Sequence, residues 1–127
     1  MSIINLYNKD CMIAMTSMPD KAYDLAIVDP PYGLERFKHG GSIIYKTGDE
    51  NGQWNNIKPT NEYFNELFRV SKFQIIWGGN YFADILPASS GWLVWIKPQA
   101  ETGFSLAEAE LCWTSKAFSV RVKTIAR

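Results

Sequence analysis

Asp29-Pro30-Pro31-Tyr32 holds the residue types needed for chemistry on an aromatic amine. An exocyclic amine on adenine or cytosine is a poor nucleophile, because its lone pair is delocalised into the ring. Two hydrogen-bond acceptors on its N–H groups would bend it towards tetrahedral geometry and localise that pair. The Asp29 carboxylate is one acceptor. The Pro30 carbonyl is the other, held rigidly by the rings of Pro30 and Pro31. Tyr32 offers a flat face to a base, and base–aromatic stacking is worth about 1–3 kcal/mol. Methyl transfer to such an amine needs in-line positioning and no cysteine nucleophile. A base inside a duplex must first be flipped out. Taken alone, the same four residues also read as a plain strand-ending turn.

What precedes the tetrad gives it a place. Tyr23 to Val28 ends in the apolar run Leu25-Ala26-Ile27-Val28. This pattern predicts a strand covered on both faces, as in a parallel sheet. The two prolines end it, since neither offers an N–H to a ladder. Open α/β sheets bind ligands beyond the carboxyl ends of their strands, which is where Asp29 falls. Upstream, residues 3–7 (Ile-Ile-Asn-Leu-Tyr) predict a short strand, Cys11 to Met18 a short helix, and Pro19-Asp20-Lys21 a turn. Strand, helix and strand at this spacing make an α/β unit.

Residues 34–58 show no lasting period of 2 or 3.6. A loop of that length is uncommon without a function, and the expectation is a mobile lid beside the site. His39 within it reads as a solvated residue. Thr60 is a candidate N-cap for a helix to about Val70, with Tyr63, Phe64, Leu67 and Phe68 as its buried stripe. Phe73 to Trp77 predicts a buried strand ended by Gly78-Gly79. Asn80 is a candidate cap for a short helix over Tyr81 to Leu86, stopped by Pro87. Gly91 to Ile96 and Glu110 to Ser115 predict two more strands. Phe118 to Ile125 alternates apolar and polar residues, which predicts a strand with one wet face.

The bulk numbers bound the answer. A chain of 127 residues is one domain by length. Formal net charge is zero, which argues against a dedicated, strongly basic nucleic-acid binder. The charge is uneven, however: after Glu110 come Lys116, Arg121, Lys123 and Arg127 and no acid. That tail reads as a solvated strand face or as an edge that contacts phosphate. No apolar run approaches the roughly 20 residues that span a bilayer, and no signal peptide is visible at Met1. Cys11 and Cys112 have no metal-ligand spacing. Both fit small buried groups in a reduced, cytoplasmic setting.

Several linked segments carry a family resemblance. They are Leu6-Tyr7-Asn8-Lys9-Asp10-Cys11, Asp24 through Gly33, Arg69 through Phe82, Trp92 through Pro98, and Glu108 through Ser115. Together the chain resembles the β-type, permuted DNA adenine-N6 methyltransferases of restriction–modification systems and prophages. The resemblance implies a Rossmann-like α/β methyltransferase fold, three-layered with a mostly parallel sheet. It implies methyl transfer from S-adenosylmethionine to the N6 amine of a flipped adenine in DNA, in a bacterial or phage-encoded cytoplasmic protein. By position, Asp29, Pro30, Pro31 and Tyr32 form the catalytic set. Asp29 and Pro30 hold the amine, and Tyr32 stacks on the base. Asp10 lies near the adenosine end of the cofactor, with Asp29 also on the cofactor side. Lys97 lines the mouth of the site.

One family feature is absent from the sequence. The glycine-rich Phe-x-Gly-x-Gly loop that cradles the methionine moiety is not among the 127 residues. The resemblance therefore implies the catalytic-motif half of an enzyme, with weak cofactor binding by this chain alone. The partner would be a missing carboxyl-terminal half, or a second copy docked on the unfinished sheet edge. Two alternatives stay open. One is cytosine-N4 methylation, which uses the same geometry. The other is a non-catalytic truncated prophage remnant that self-associates.

Overall fold

The computed structural model describes residues 1–33, 57–98 and 107–124. The expected lid at 34–58 lies outside the described residues, apart from 57 and 58. The element order is α1 (Cys11–Thr16), β1 (Tyr23–Val28), α2 (Asn61–Val70), β2 (Ser71–Trp77), a 3₁₀ turn (Gly79–Phe82), β3 (Trp92–Ile96), β4 (Ala109–Thr114) and β5 (Arg121–Thr124). The chain is α/β, with one five-stranded open sheet in the order β1-β2-β4-β3-β5. β1 pairs with β2 in parallel and β3 with β5 in parallel. β4 lies between β2 and β3 and is antiparallel to both. The sheet is therefore mixed rather than mostly parallel.

Helix α2 runs into β2 without a connecting residue. It buries Phe64, Leu67 and Val70, a spacing of three that keeps one face inward. Tyr63 and Phe68 flank that stripe and are only partly covered. Thr60 sits at the N-cap but makes no capping bond to the backbone. The Thr60 side chain beside Glu62 instead holds that carboxyl below its usual range. At the other end Arg69 ties the helices together. Its guanidinium donates to the Met15 and Met18 carbonyls, to Asp20 and to Glu66.

The register sorts the sheet into two faces, since paired residues point the same way. Ala26, Val28, Ile76, Trp113 and Trp92 lie on the face that α1, α2 and the 3₁₀ turn cover. There they meet Met15, Phe64, Leu67, Val70, Phe82 and Leu86 in the core. The opposite face carries Tyr23, Leu25 and Ile27 of β1, Phe73, Ile75 and Trp77 of β2, Glu110 and Cys112 of β4, and Leu93 and Trp95 of β3. All the described helices pack on the first face, so the described residues form two layers, not three.

Five other expectations need correction. β1 is not covered on both faces: Leu25 is 46% and Ile27 61% exposed, because no described element lies over them. Residues 3–7 form no strand and are exposed, because no described strand lies alongside to pair with them. The helix expected over Tyr81 to Leu86 is a 3₁₀ turn that begins earlier and contains Asn80. Gly78 stands at φ 68°, and the Tyr81 N–H donates to its carbonyl at 2.8 Å, which closes a tight turn instead of an α-helix. Strand β5 is exposed at all four residues, as an edge strand with neither face covered. Of the cysteines, Cys112 is buried but Cys11 is exposed, since α1 buries Ala14 and Met15 and turns its first residue outward.

The core predicts its own weakest point. Phe64 is 1% exposed and stacks at a tilt on Phe82, with ring centroids 5.2 Å apart. Phe64→Ala should lower stability by about 3–5 kcal/mol, read from urea denaturation. A loss below about 1 kcal/mol would show that this cluster is not the core.

Candidate active site

Asp29 leaves the carboxyl end of β1 on the uncovered face. Pro30 behind it is buried, Pro31 is half-buried, and the chain then turns at Gly33 with φ 66°. A Cβ at Gly33 would stand 2.9 Å from Lys58 Cβ. Lys58, just before α2, is in turn salt-bridged to Asp84 beyond the 3₁₀ turn. The tetrad is therefore clamped between the two segments that flank α2 and β2.

Tyr32 is seated by close packing. Its ring stacks on Tyr81, with centroids 4.7 Å apart and planes at 17°, and meets Phe82 edge-on at 6.2 Å. Gly78 backs onto its Cδ1–Cε1–Cζ side, where a Cβ would come within 2.2 Å of Cε1. Gly78 is thus required twice, for its positive φ and for its missing side chain. The Tyr32 hydroxyl donates to Asp29 Oδ1 at 2.7 Å. Burial, followed by that bond and the Asp29 charge, pushes the Tyr32 phenol well above its usual range. The phenol thus holds its proton, and Asp29 keeps a fixed donor on one oxygen.

These residues open onto a cleft of about 220 Å³ lined by Asp29, Tyr32, Trp77, Trp95 and Glu110. Trp77 and Trp95 meet edge to face with centroids 6.5 Å apart. Glu110 is the cross-strand partner of Trp95 and forms a 2.6 Å ion pair with Lys97. Both side chains of that pair are less than a quarter exposed, so it is partly shielded from water. Trp95 Nε1 is buried and has no hydrogen-bond partner among the described residues. The cleft is aromatic on its walls and carries two carboxylates, one paired to a cation. It suits a flat, neutral ring that presents N–H groups.

Of the residues singled out from sequence, Asp29 and Tyr32 come together in this cleft, and Lys97 reaches it through Glu110. Pro30 and Pro31 adjoin it along the chain. Asp10 does not line it: its Oδ1 accepts from the Met12 and Ile13 N–H groups and caps α1, on the covered side of the sheet. Trp77, Trp95 and Glu110 were not singled out. A usable signal exists, because Trp77 ends β2 and Trp95 stands two residues before Lys97. Only the antiparallel register of β4, however, brings Glu110 beside Trp95. Compared with known proteins, the chain matches no family model and no curated relative.

Two phenols should mark this packing in solution. Burial, with Cys11 nearby, pushes Tyr63 up to about 12, and Tyr32 is also raised. Both bind their protons more tightly folded than unfolded. Each therefore contributes stability that is fully present below about pH 10 and lost as pH rises through the folded value. Ultraviolet titration at about pH 11 should find the Tyr32 and Tyr63 phenols still largely protonated, and both should ionise on unfolding. Complete ionisation of the folded chain at that pH would contradict the seating of Tyr32.

Proposed function

We propose that the cleft is the acceptor side of a DNA amine methyltransferase, with the N6 amine of a flipped adenine as its target. The observation that carries this reading is the placement of Asp29. It stands at the carboxyl end of β1 with one oxygen fixed by Tyr32 at 2.7 Å, facing an aromatic cleft. The second carboxylate oxygen accepts one N–H of the amine, and the Pro30 carbonyl accepts the other. Held by both, the nitrogen lone pair is drawn out of conjugation and aimed at the incoming methyl group. Trp77, Trp95 and Tyr32 exclude water and hold the ring by stacking. The five-stranded order, with β4 antiparallel between β2 and β3, is compatible with a Rossmann-like methyltransferase sheet.

S-adenosylmethionine is the methyl donor that this reading calls for. The cleft does not fit it beside a base, since about 220 Å³ is below the usual range of about 300–1,000 Å³ for small-molecule sites. Asp10, the residue nearest to a cofactor role by resemblance, is already spent on capping α1. The donor side must therefore come from residues other than those of the cleft. A polypeptide supplying it has a place to add on. The outer edge of β1 has no strand partner among the described residues, and Tyr23, Leu25 and Ile27 leave apolar surface beside it.

Two measurements test the two halves of this reading. In any form of the protein that carries the donor side, with labelled donor and an adenine-containing DNA, the product should be N6-methyladenine, and Asp29→Ala should lower transfer by at least about 100-fold. Label in N4-methylcytosine, or undiminished transfer by the variant, would refute the acceptor assignment. Calorimetric titration of the chain with S-adenosylmethionine should show weak binding or none. Tight stoichiometric binding would contradict the division between acceptor and donor sides.

A further inference from the structure

The cleft face of the sheet carries cations in a definite place. β3 and β5 run parallel, with Leu93 beside Arg121 and Trp95 beside Lys123. Arg121 and Lys123 therefore point to the same side as Trp95, while Val122 and Thr124 point to the other. Two residues along a strand put the Cα atoms of the two cations about 6.6 Å apart, and neighbouring strands place Lys123 roughly 5 Å from Trp95 between backbones. Both are exposed, on the outermost strand of the sheet. Towards the middle of the same face, Lys116 Nζ stands 5.5 Å over the ring of Phe73. Aromatic and basic groups are thus interleaved across the sheet face that no described helix covers, which is exposed at β5 and closed over Cys112 at β4.

The acids on this face are placed differently. Asp29 and Glu110 both line the cleft, and Glu110 is already paired with Lys97. Asp24, on the opposite face, is paired with Lys72. Carboxylates inside the cleft repel phosphate but accept N–H groups. Cations on the neighbouring strand do the reverse. This segregation matches the two parts of a nucleotide: the base enters the cleft, and the phosphates stay outside it on β5.

We infer that Arg121 and Lys123 form a phosphate-contacting rail that holds a DNA strand along β5 while one of its bases occupies the Trp77–Trp95 cleft. This rests on the amine-methyltransferase reading for what happens to the base, but not for the contact itself. Neither cation touches the reacting atoms. They are positioning residues, and their contribution is electrostatic, so it must weaken with salt.

The test is binding of a fluorescein-labelled single-stranded oligodeoxynucleotide of about 12 nucleotides, followed by anisotropy over a salt series. Arg121→Ala/Lys123→Ala removes two phosphate contacts. It should reduce the slope of log affinity against log salt by about 1.4 and weaken binding about 25-fold at roughly 0.1 M salt. Both side chains are exposed, so the variant should keep the far-ultraviolet dichroism of the parent. Lys9→Ala, which removes an equally exposed cation far along the chain, should leave the slope unchanged. Arg121 and Lys123 make no contact with the reacting atoms, so loss of salt dependence in the β5 variant and loss of methyl transfer in Asp29→Ala are separate results. The proposal is overturned if the parent chain does not bind the oligonucleotide. It is also overturned if the β5 variant binds with the parental slope, or if Lys9→Ala lowers the slope as much.

Discussion

The contact between the Tyr32 ring and the bare Cα of Gly78 sets the geometry of everything at the cleft. With a side chain at position 78 the ring could not lie where it does, since a Cβ there would overlap Cε1. With the ring displaced, the hydroxyl would leave Asp29 and the stack on Tyr81 would open. The Gly78 carbonyl also accepts the Tyr81 N–H that closes the 3₁₀ turn. One residue thus joins the end of β2, the turn after it and the tetrad after β1. Among the described residues the carboxylate is aimed by packing rather than by a charged partner, which suits it to a neutral amine.

The sheet is built asymmetrically around that point. Its helix-covered face holds the core, where Phe64, Ile76 and Phe82 are at most 1% exposed. Its other face keeps aliphatic and aromatic side chains in water at β1 and β2, and aromatic side chains in the cleft. Large apolar surfaces on soluble domains mark places where something binds. The aliphatic part beside the β1 edge and the aromatic, cation-flanked part beside β3 and β5 differ in chemistry, so they suit different occupants. On the proposed reading the first takes polypeptide and the second nucleic acid.

Local pattern foresaw the elements better than their arrangement. The strand Tyr23–Val28 and the helix ending at Val70 were legible because apolar periodicity and proline stops are local signals. The exposure of Leu25 and Ile27 was not, since a continuous apolar run implies cover without naming what supplies it. Residues 3–7 have strand composition but lack a described neighbour to pair with, and composition alone cannot see that. At the site, Asp29 and Tyr32 were legible from chemistry and spacing. Glu110 and Trp95 were not, because they are 15 positions apart (110 less 95) and meet only through an antiparallel register. Asp10 was assigned by resemblance to the cofactor side, but its carboxylate faces the first N–H groups of α1.

The central claim is that Asp29, seated by Tyr32, accepts an N–H of an aromatic amine lying against Trp77 and Trp95. Nuclear magnetic resonance of the two indole N–H groups, during titration with adenosine and with N6,N6-dimethyladenosine, tests it most directly. The account predicts that adenosine shifts both indoles in the parent chain and loses that effect in Asp29→Ala. It predicts that the dimethyl analogue, which has no amine N–H, fails to do so in either. Equal shifts with both nucleosides, or an adenosine response that survives in the Asp29 variant, would contradict it.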